Sequence, residues 1–303
     1  MKISTRTSDR IFDICNTIFM LFIITIMLYP FLNTLAISFN NATDSLRGGI
    51  YLWPRIFTTN NYRVVFENPL LLVAFRNSVI RTILSTVFGV FICAMAGYIL
   101  SRREFIFNKA VTIYFLVTLY VSAGLIPTLF LFRDLGLMNR FAVYVVPGLF
   151  GAFNVIVIKA YIAGLPDSLI EAAHIDGAGE FRTFVQIVFP ICKPVLATVG
   201  LWIAVGNWND WFTTFAFAQG NPRLTVLQFE LYRELSSAMA QMAAQQAGFM
   251  AAAAAGGGGT FDNITPIAIR NTITIVAAVP ILCVYPFLQK YFVKGVHVGS
   301  VKG

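Results

Sequence analysis

The chain has 303 residues, of which 57% are hydrophobic and only 12% are charged, and its formal net charge is +8. Soluble globular proteins carry roughly 25% charged residues, so this polar inventory cannot cover a water-exposed surface, which excludes a soluble domain with an oversized core. The positive charge suits anionic lipid headgroups, and the sequence shows no aromatic–basic module for nucleic acid.

Six apolar runs are long enough to cross a bilayer, since ~30 Å of hydrocarbon needs ~20 helical residues. Backbone groups in lipid must be satisfied internally, which leaves helices or a closed barrel. Barrel strands are ~10-residue alternating segments, and these runs are longer and do not alternate. The predicted fold is all-α, a polytopic membrane protein with six transmembrane helices and a cytoplasmic loop between the fourth and fifth. The predicted spans are residues 11–33, 78–100, 110–132, 141–163, 195–218 and 267–289.

The predicted domain organisation is one membrane domain with short ends. Residues 1–10 form a cytoplasmic N-terminus, 11–290 the membrane domain and 291–303 a cytoplasmic tail. The first apolar run is too long for a cleavable signal peptide, and no small-residue cleavage site follows it. Lys and Arg show a modest positive-inside bias. That bias places both termini in the cytoplasm with residues 101–109 and 165–194, and places residues 34–77 and 219–266 outside.

The external segment 219–266 contains a low-complexity tract, Ala251–Gly259. Its four glycines hold a helix poorly, so we read the tract as a flexible loop tip, or else as a substituted stretch that is not native. It is not a phosphate-binding loop, because no Lys-Ser or Lys-Thr follows the glycines.

No metal, disulfide or catalytic pattern is present in the sequence. The cysteines are scattered without metal-site spacing, and we interpret them as small packing residues. The two histidines, His174 and His297, are both predicted to be cytoplasmic and do not complete a catalytic group. The cysteines are Cys15, Cys93, Cys192 and Cys283.

The loop between the fourth and fifth spans predicts two short helices joined by a turn. Pro166 and Asp167 suit the start of a helix over 168–175, and Gly177 suits its left-handed end. A second helix over 180–188 is predicted to end at Pro190. The loop would expose charged and polar side chains, with small residues allowing close approach of another surface, as in a docking element. The residues meant are Glu171, His174, Asp176, Ala172 and Ala173.

This loop resembles the EAA motif of binding-protein-dependent ABC permeases. The motif is Glu-Ala-Ala, three residues, Gly, nine residues, Ile, one residue and Leu-Pro. The chain matches it from Glu171 through Gly177 and Ile187 to Pro190, with Phe189 in place of the leucine. The resemblance covers nearly the whole chain and is closest to the carbohydrate-uptake group of the maltose-permease type, in its branch for complex oligosaccharides. Further similar segments are Ser101–Arg103, Trp208–Trp211, Tyr291–Gly295 and Val301–Gly303.

The resemblance implies a permease subunit without a cofactor of its own. Its partners would be a second, usually different, permease subunit, two ATPase subunits that bind ATP and Mg, an extracytoplasmic solute-binding protein and membrane lipid. The expected location is the bacterial cytoplasmic membrane. The chain has no Walker A signature, so the energy would come from a partner chain. The resemblance implies ATPase coupling for Glu171, Ala172, Ala173, Asp176, Gly177, Ile187 and Pro190.

Polar residues in the fifth span mark a second candidate site. Ionisable groups are costly in a membrane and usually face a cavity or a partner, although these residues could also lie at the outer interface. We expect Arg81 in the second span to snorkel or to pair. The tryptophans of the fifth span, Trp202, Trp208 and Trp211, could stack on sugar rings or belong to an interfacial aromatic belt. The candidate path residues are Asn207, Trp208, Asn209, Asp210 and Trp211.

Other functions are compatible with parts of the sequence. Within the family, the alternative is a permease for a polyol or a glycerol-phosphate. A secondary transporter would need an ion-coupling site and often internal repeats, and a membrane enzyme would need a catalytic group. The sequence shows none of these features.

Overall fold

A computed structural model describes residues 7–237 and 265–298. The chain divides into two units, which are described separately. One comprises Met1–Asn68 with Arg233–Ala278, and the other comprises Pro69–Tyr232 with Val279–Gly303. The tract Ala251–Gly259 and the last residues of the predicted tail lie outside the described residues.

The described residues form helices and no β-strand, with one isolated bridge between Asn40 and Phe57. An all-α membrane fold is therefore confirmed for this part of the chain. The helices are α1 Thr7–Ser38, α2 Ala42–Ser45, α3 Asn60–Glu67, α4 Pro69–Ser101, α5 Asn108–Tyr120, α6 Leu125–Asp134, α7 Ala142–Val145, α8 Ala152–Ile162, α9 Ser168–Ile175, α10 Glu180–Thr183, α11 Phe189–Ile191, α12 Lys193–Asn209, α13 over 227–237 and α14 Pro266–Val298.

The span count falls between two and five in the described residues, and six stays a prediction. Arg10–Ser38 and Pro69–Ser101 are long and apolar enough to cross a membrane alone. Three bent helix pairs reach that length only together, with bends of 118°, 44° and 83°. A shorter apolar helix, Ile267–Cys283, lies within α14, at the place of the sixth predicted span.

The prediction of one continuous helix for the third span is wrong. The chain breaks between α5 and α6, where the two helices differ in direction by 118°. Val121 is extended, and Gly124 has φ 82° and ψ −179°, a conformation open almost only to glycine. Pro127 lies in the first turn of α6, where a missing N–H costs nothing. The sequence signals for this break, a glycine followed by a proline, lie inside the apolar run.

The core of the second unit holds α4 against α8 and α12. Side chains such as Cys93, Val155 and Val199 are buried there. A Cβ on Gly97 would come within 3.0 Å of Ile158 Cγ2 and 3.1 Å of the Lys159 nitrogen, so glycine is needed for the two helices to approach. Small residues serve the same purpose in membrane helix packing generally. This packing fixes α4, on which both candidate sites depend.

Candidate functional site

Residues 165–194, which we call the docking loop after their predicted role, contain the short helix α9 with a well-formed C-terminal cap. Gly177 has φ +76°, the Ala178 N–H donates to the Ala173 carbonyl at 2.9 Å, and the Gly177 N–H donates to the His174 carbonyl at 3.0 Å. This pair of bonds is a Schellman motif, with the left-handed glycine just past the last helical turn. The predicted bounds of this helix and its glycine terminator are confirmed. A Cβ on Gly177 would meet nothing within 4 Å, so conformation and not space demands glycine here.

One side of α9 is anchored and the other is exposed. Ile170 joins the core of the second unit, and Ala173 is buried. Ala172 is exposed, whereas the side chain of Ala173 lies inside the chain's own core. Ile175 is 85% exposed, so the exposed side of α9 carries apolar surface beside its polar residues. The exposed residues of the loop include Glu171, Ala172, His174, Ile175, Asp176 and Gly177.

Glu180 ties the docking loop to the end of α4. The Tyr98 hydroxyl donates to Glu180 Oε2 at 2.6 Å, and His174 Nε2 lies 3.2 Å from Glu180 Oε1. A looser ion pair joins Arg103 to Asp167 at 3.6 Å. No local pattern in the sequence marks Glu180 as a functional residue, since its partner Tyr98 lies 82 residues away.

The second loop helix differs from its prediction around Pro190. The helical run ends at Ile191, one residue beyond the predicted end at Pro190, because a π-helical turn, Phe184–Val188, leads directly into α11. The Phe189 N–H donates to the Phe184 carbonyl five residues earlier, and Pro190 has no N–H to bond one turn back. Ile187 is half-buried and Pro190 is exposed. Phe184 packs against Tyr98 and Phe91 of α4 at ring distances of 5.5 and 5.8 Å.

The fifth predicted span also breaks, and Asp210 is the residue at the break. Helix α12 ends at Asn209, and Asp210 is extended. Its carboxylate oxygen Oδ1 accepts the Thr213 N–H at 3.1 Å, as an aspartate does at a helix start. The single helix predicted over 195–218 is therefore wrong. An aspartate inside an apolar run is itself a signal for this break.

Arg81 of α4 holds the broken end of α12. Its guanidinium donates to Asp210 Oδ2 at 2.9 Å and to the Asn207 carbonyl, which lacks a helical partner because the helix stops. The residue is 1% exposed and its guanidinium lies 5.0 Å from the centre of the Tyr144 ring. The expectation that Arg81 pairs is confirmed. A buried arginine thus balances both the aspartate and the negative end of the α12 dipole.

Other polar residues on the same face of α4 as Arg81 also bond backbone groups of neighbouring segments. Asn77 donates to the carbonyls of Arg223 and Thr225 at 2.8 and 2.9 Å. Ser78 Oγ accepts the Leu227 N–H at 2.9 Å. These side chains satisfy backbone groups of the irregular segment after the fifth span. Such groups would otherwise be unsatisfied near the membrane.

A cavity of about 370 Å³ opens beside the break, and two of the five candidate path residues line it. Asn207 and Asp210 face it together with hydroxyl and aromatic side chains. Of the lining residues, Asp210 alone carries a full charge, and Arg81 neutralises it from behind. The lining residues are Thr128, Phe132, Val143, Tyr144, Pro147, Gly148, Trp202, Ile203, Gly206, Asn207, Asp210, Thr213 and Phe217.

The other three candidate path residues lie elsewhere. Trp208 is buried beside an apolar cavity of about 270 Å³ and meets Phe75 edge-on at 6.2 Å. Trp211 stacks on Tyr232 at 4.1 Å. Asn209 is exposed and accepts a hydrogen bond from Gln228. Helical spacing separates the directions of Asn207, Trp208 and Asn209, which lie within α12, but it does not apply to Asp210 and Trp211, which lie beyond its end.

No cluster of His, Cys, Asp and Glu able to hold a metal occurs among the residues that the structure describes. All four cysteines are free, with Cys93 and Cys192 buried and Cys15 and Cys283 exposed.

The sequence is similar to known permeases along its whole length. It is 32% identical to the protein LplC of Bacillus subtilis (strain 168), covering 98% of this chain and 96% of LplC. It is 30% identical to the polygalacturonan/rhamnogalacturonan transport system permease protein YtcP of the same organism, covering 97% of this chain and 99% of YtcP. Identity to the maltodextrin transport system permease protein MdxG, also of B. subtilis, is 28% over 99% of this chain and all of MdxG.

The fold is also that of a solved transporter chain. The crystal structure of a bacterial ABC transporter involved in the import of the acidic polysaccharide alginate matches with a TM-score of 0.80 and 23% identity. The match covers 95% of this chain and 99% of that one. No protein-family profile matches the sequence. The identity to LplC and YtcP, which spans nearly the full length of both, shows that the chain belongs to the family of ABC sugar-transport permeases, which are membrane proteins.

Proposed function

We propose that this chain is a multi-pass permease subunit of a binding-protein-dependent ABC importer in the bacterial cytoplasmic membrane. It forms half of the translocation path for an oligosaccharide and couples that path to a separate ATPase. The observation that carries the proposal is α9. This helix is fixed to the core by Ile170 and Ala173, yet it exposes Glu171 and the apolar Ile175.

The coupling step follows from how α9 is held. The Gly177 cap fixes the end of the helix, the Tyr98 hydrogen bond to Glu180 joins the loop to α4, and His174 of α9 lies against the same carboxylate. A push on α9 therefore reaches α4 through bonded and packed groups instead of being lost in a mobile loop. The permease has no catalytic role in this scheme, and ATP and Mg are bound by the partner ATPase, of which the complex holds two copies.

The lining of the polar cavity favours an uncharged saccharide. Hydroxyls, an amide, aromatic rings and the Asp210 carboxylate paired with Arg81 surround the space, and aromatic faces with a few oriented polar groups are the usual lining of a ligand pocket. The names of YtcP and MdxG refer to saccharide polymers, the first anionic and the second neutral, so they support a saccharide as the solute but not its lack of charge. A glycerol-phosphate is disfavoured, because the described lining residues include no Lys or Arg.

The charge of Glu171 tests the coupling proposal. Glu171→Lys should lower ATPase stimulation by loaded binding protein about tenfold or more, since a partly buried interface pair is worth several kcal/mol. Glu171→Gln should have a smaller effect, and a reciprocal reversal on a basic ATPase residue should restore part of the loss. The assay uses the assembled transporter in proteoliposomes.

Glu104→Lys provides the matched control for this experiment. Glu104 is exposed on a different loop that is also predicted to be cytoplasmic, so the change in charge is identical while the docking face is intact. If Glu171→Lys couples as well as the wild type and as well as Glu104→Lys, Glu171 has no docking role. Uptake of a saccharide panel in the same proteoliposomes, with a polyol and a glycerol-phosphate included, identifies the solute.

A further inference from the structure

The segment that follows α1, which is predicted to be external, folds back along that helix. Gly48 and Gly49 have φ values of +68° and +72°, and this pair of left-handed residues reverses the chain. Asn33 of α1 then donates to the Ile50 carbonyl at 2.6 Å and to the Tyr51 carbonyl at 2.9 Å. The backbone at 50 and 51 is therefore held against α1 below its end.

The position of Asn33 sets the depth of this contact. It lies five residues before the end of α1, which corresponds to about 7.5 Å along the helix axis. It also closes the apolar run predicted over 11–33, so we place it near the boundary where hydrocarbon gives way to headgroups, although the apolar helix itself continues to Ser38. The residues that follow Tyr51 start from that boundary.

The three residues at this depth are large, apolar or amphipathic, and exposed. Tyr51 is 65% exposed, Leu52 51% and Trp53 84%. We call these three residues the Trp53 tip. Leaving so much aromatic and aliphatic surface in water is unfavourable, and a surface patch of this kind generally marks a contact site.

The segment that carries the tip is held by hydrogen bonds and an ion pair. The buried Asn40 side chain bonds Asp44 and Ser45 and accepts the Ile56 N–H at 2.8 Å. Arg55 pairs with Asp44 at 3.2 Å. The tip is thus presented in one conformation before any partner binds, so little ordering is needed on contact.

We propose that the Trp53 tip is an interfacial anchor that inserts between the lipid headgroups of the outer leaflet beside α1. Lipid is favoured over a protein partner because the tip adjoins α1, an apolar helix long enough to cross a membrane that the described part of this chain leaves almost entirely uncovered. Trp and Tyr are the residues that prefer the membrane–water interface. The anchor goes beyond the transport function, since it fixes the height and rotation of α1 in the bilayer.

Tryptophan fluorescence of the assembled transporter in proteoliposomes tests the anchor. The contribution of Trp53 is the difference between the wild type and Trp53→Leu, and Trp53→Phe gives a second difference in case one variant assembles poorly. The Trp53 signal should be blue-shifted, quenched severalfold by phosphatidylcholine brominated near the top of the acyl chain, and protected from iodide. Quenching by iodide without quenching by brominated lipid overturns the anchor.

A photocrosslinker distinguishes lipid from protein at the same place. Benzoyl-phenylalanine at position 53 should give a phospholipid adduct by mass spectrometry. The same group at Asn60, which is exposed on α3 in the same unit, should give none. An adduct from position 53 to the solute-binding protein or to another transporter subunit shows a protein-docking site and rejects the lipid anchor.

Discussion

Gly177 and Gly179 lie two residues apart in the docking loop, and both have open space where a Cβ would point. They differ in conformation, because Gly177 has φ +76° whereas Gly179 has φ −74°. An L-residue pays ~1–2 kcal/mol in the left-handed region, and a β-branched one pays more. Comparing substitutions at these two glycines therefore distinguishes a requirement for the left-handed backbone conformation from a requirement for a small side chain.

Substitution at Gly177 should therefore uncouple the transporter without preventing its insertion. We expect Gly177→Val to lower transport strongly at a normal membrane level, and Gly177→Asn to keep most of it, because Asn tolerates positive φ. Gly179→Ser is the control, since serine suits the start of α10. Uptake normalised to the amount of permease in the membrane is the readout. Wild-type uptake by Gly177→Val would remove the role of the turn.

The Arg81–Asp210 pair gives an asymmetric prediction. The Arg81 side chain is 2% exposed, whereas that of Asp210 is 32% exposed at the cavity. Asp210→Asn strands a cation that cannot deprotonate, so we expect a loss of about 3 kcal/mol or more. Arg81→Met leaves a carboxylate that reaches cavity water and should cost less. The double variant should recover much of the loss from Asp210→Asn. The order of stability among the three variants is measured by thermal melting of the purified protein, with size-exclusion chromatography as the readout of folded protein. Equal losses of stability in the two single variants would contradict the prediction.

At the scale of elements, α9 shows which features of the structure can be predicted from the sequence. Its bounds follow from Pro166, Asp167 and Gly177, which act within one helical turn of the ends they define. The bond between Tyr98 and Glu180, and that between Arg81 and Asp210, join residues 82 and 129 positions apart. No local periodicity encodes such pairs. The helix breaks at Gly124 and Asp210 are intermediate in predictability. Their sequence signals are local, but the apolar runs around them favour continuous helices.

The two adjacent alanines of α9 allow the docking face to be tested separately from the fold. Ala173 is buried, so Ala173→Leu overpacks the contact with the core and should cost ~1–3 kcal/mol of stability. Ala172 is exposed, so Ala172→Leu should leave the melting temperature unchanged but obstruct a partner surface. Melting temperature and ATPase stimulation are measured on both variants. Full stimulation with Ala172→Leu would place the partner contact elsewhere.

At the scale of the whole molecule, the predicted topology can be tested at two well-exposed positions. Asn60 lies on α3 in a segment predicted to be external, and Glu104 lies in the turn predicted to be cytoplasmic. In a background lacking the exposed Cys15 and Cys283, Asn60→Cys should react with an impermeant maleimide in intact cells. Glu104→Cys should react only after the cells are opened. The reverse pattern would invert the orientation.

The burial of Arg81 also has a consequence for how the protein is made. Asp210 is synthesised 129 residues after Arg81. At roughly 5–20 residues per second, the guanidinium waits about 6–26 s for its counter-ion. Arginine at a helix centre costs about 2.5–3.5 kcal/mol at the translocon, but Arg81 lies about one turn inside the apolar run that begins at residue 78, from where it can snorkel to the headgroups. We therefore expect helix α4 to enter the bilayer with its arginine turned to the interface. We expect the charge to be withdrawn into the protein only when α12 is delivered, so that this ion pair forms late in biogenesis.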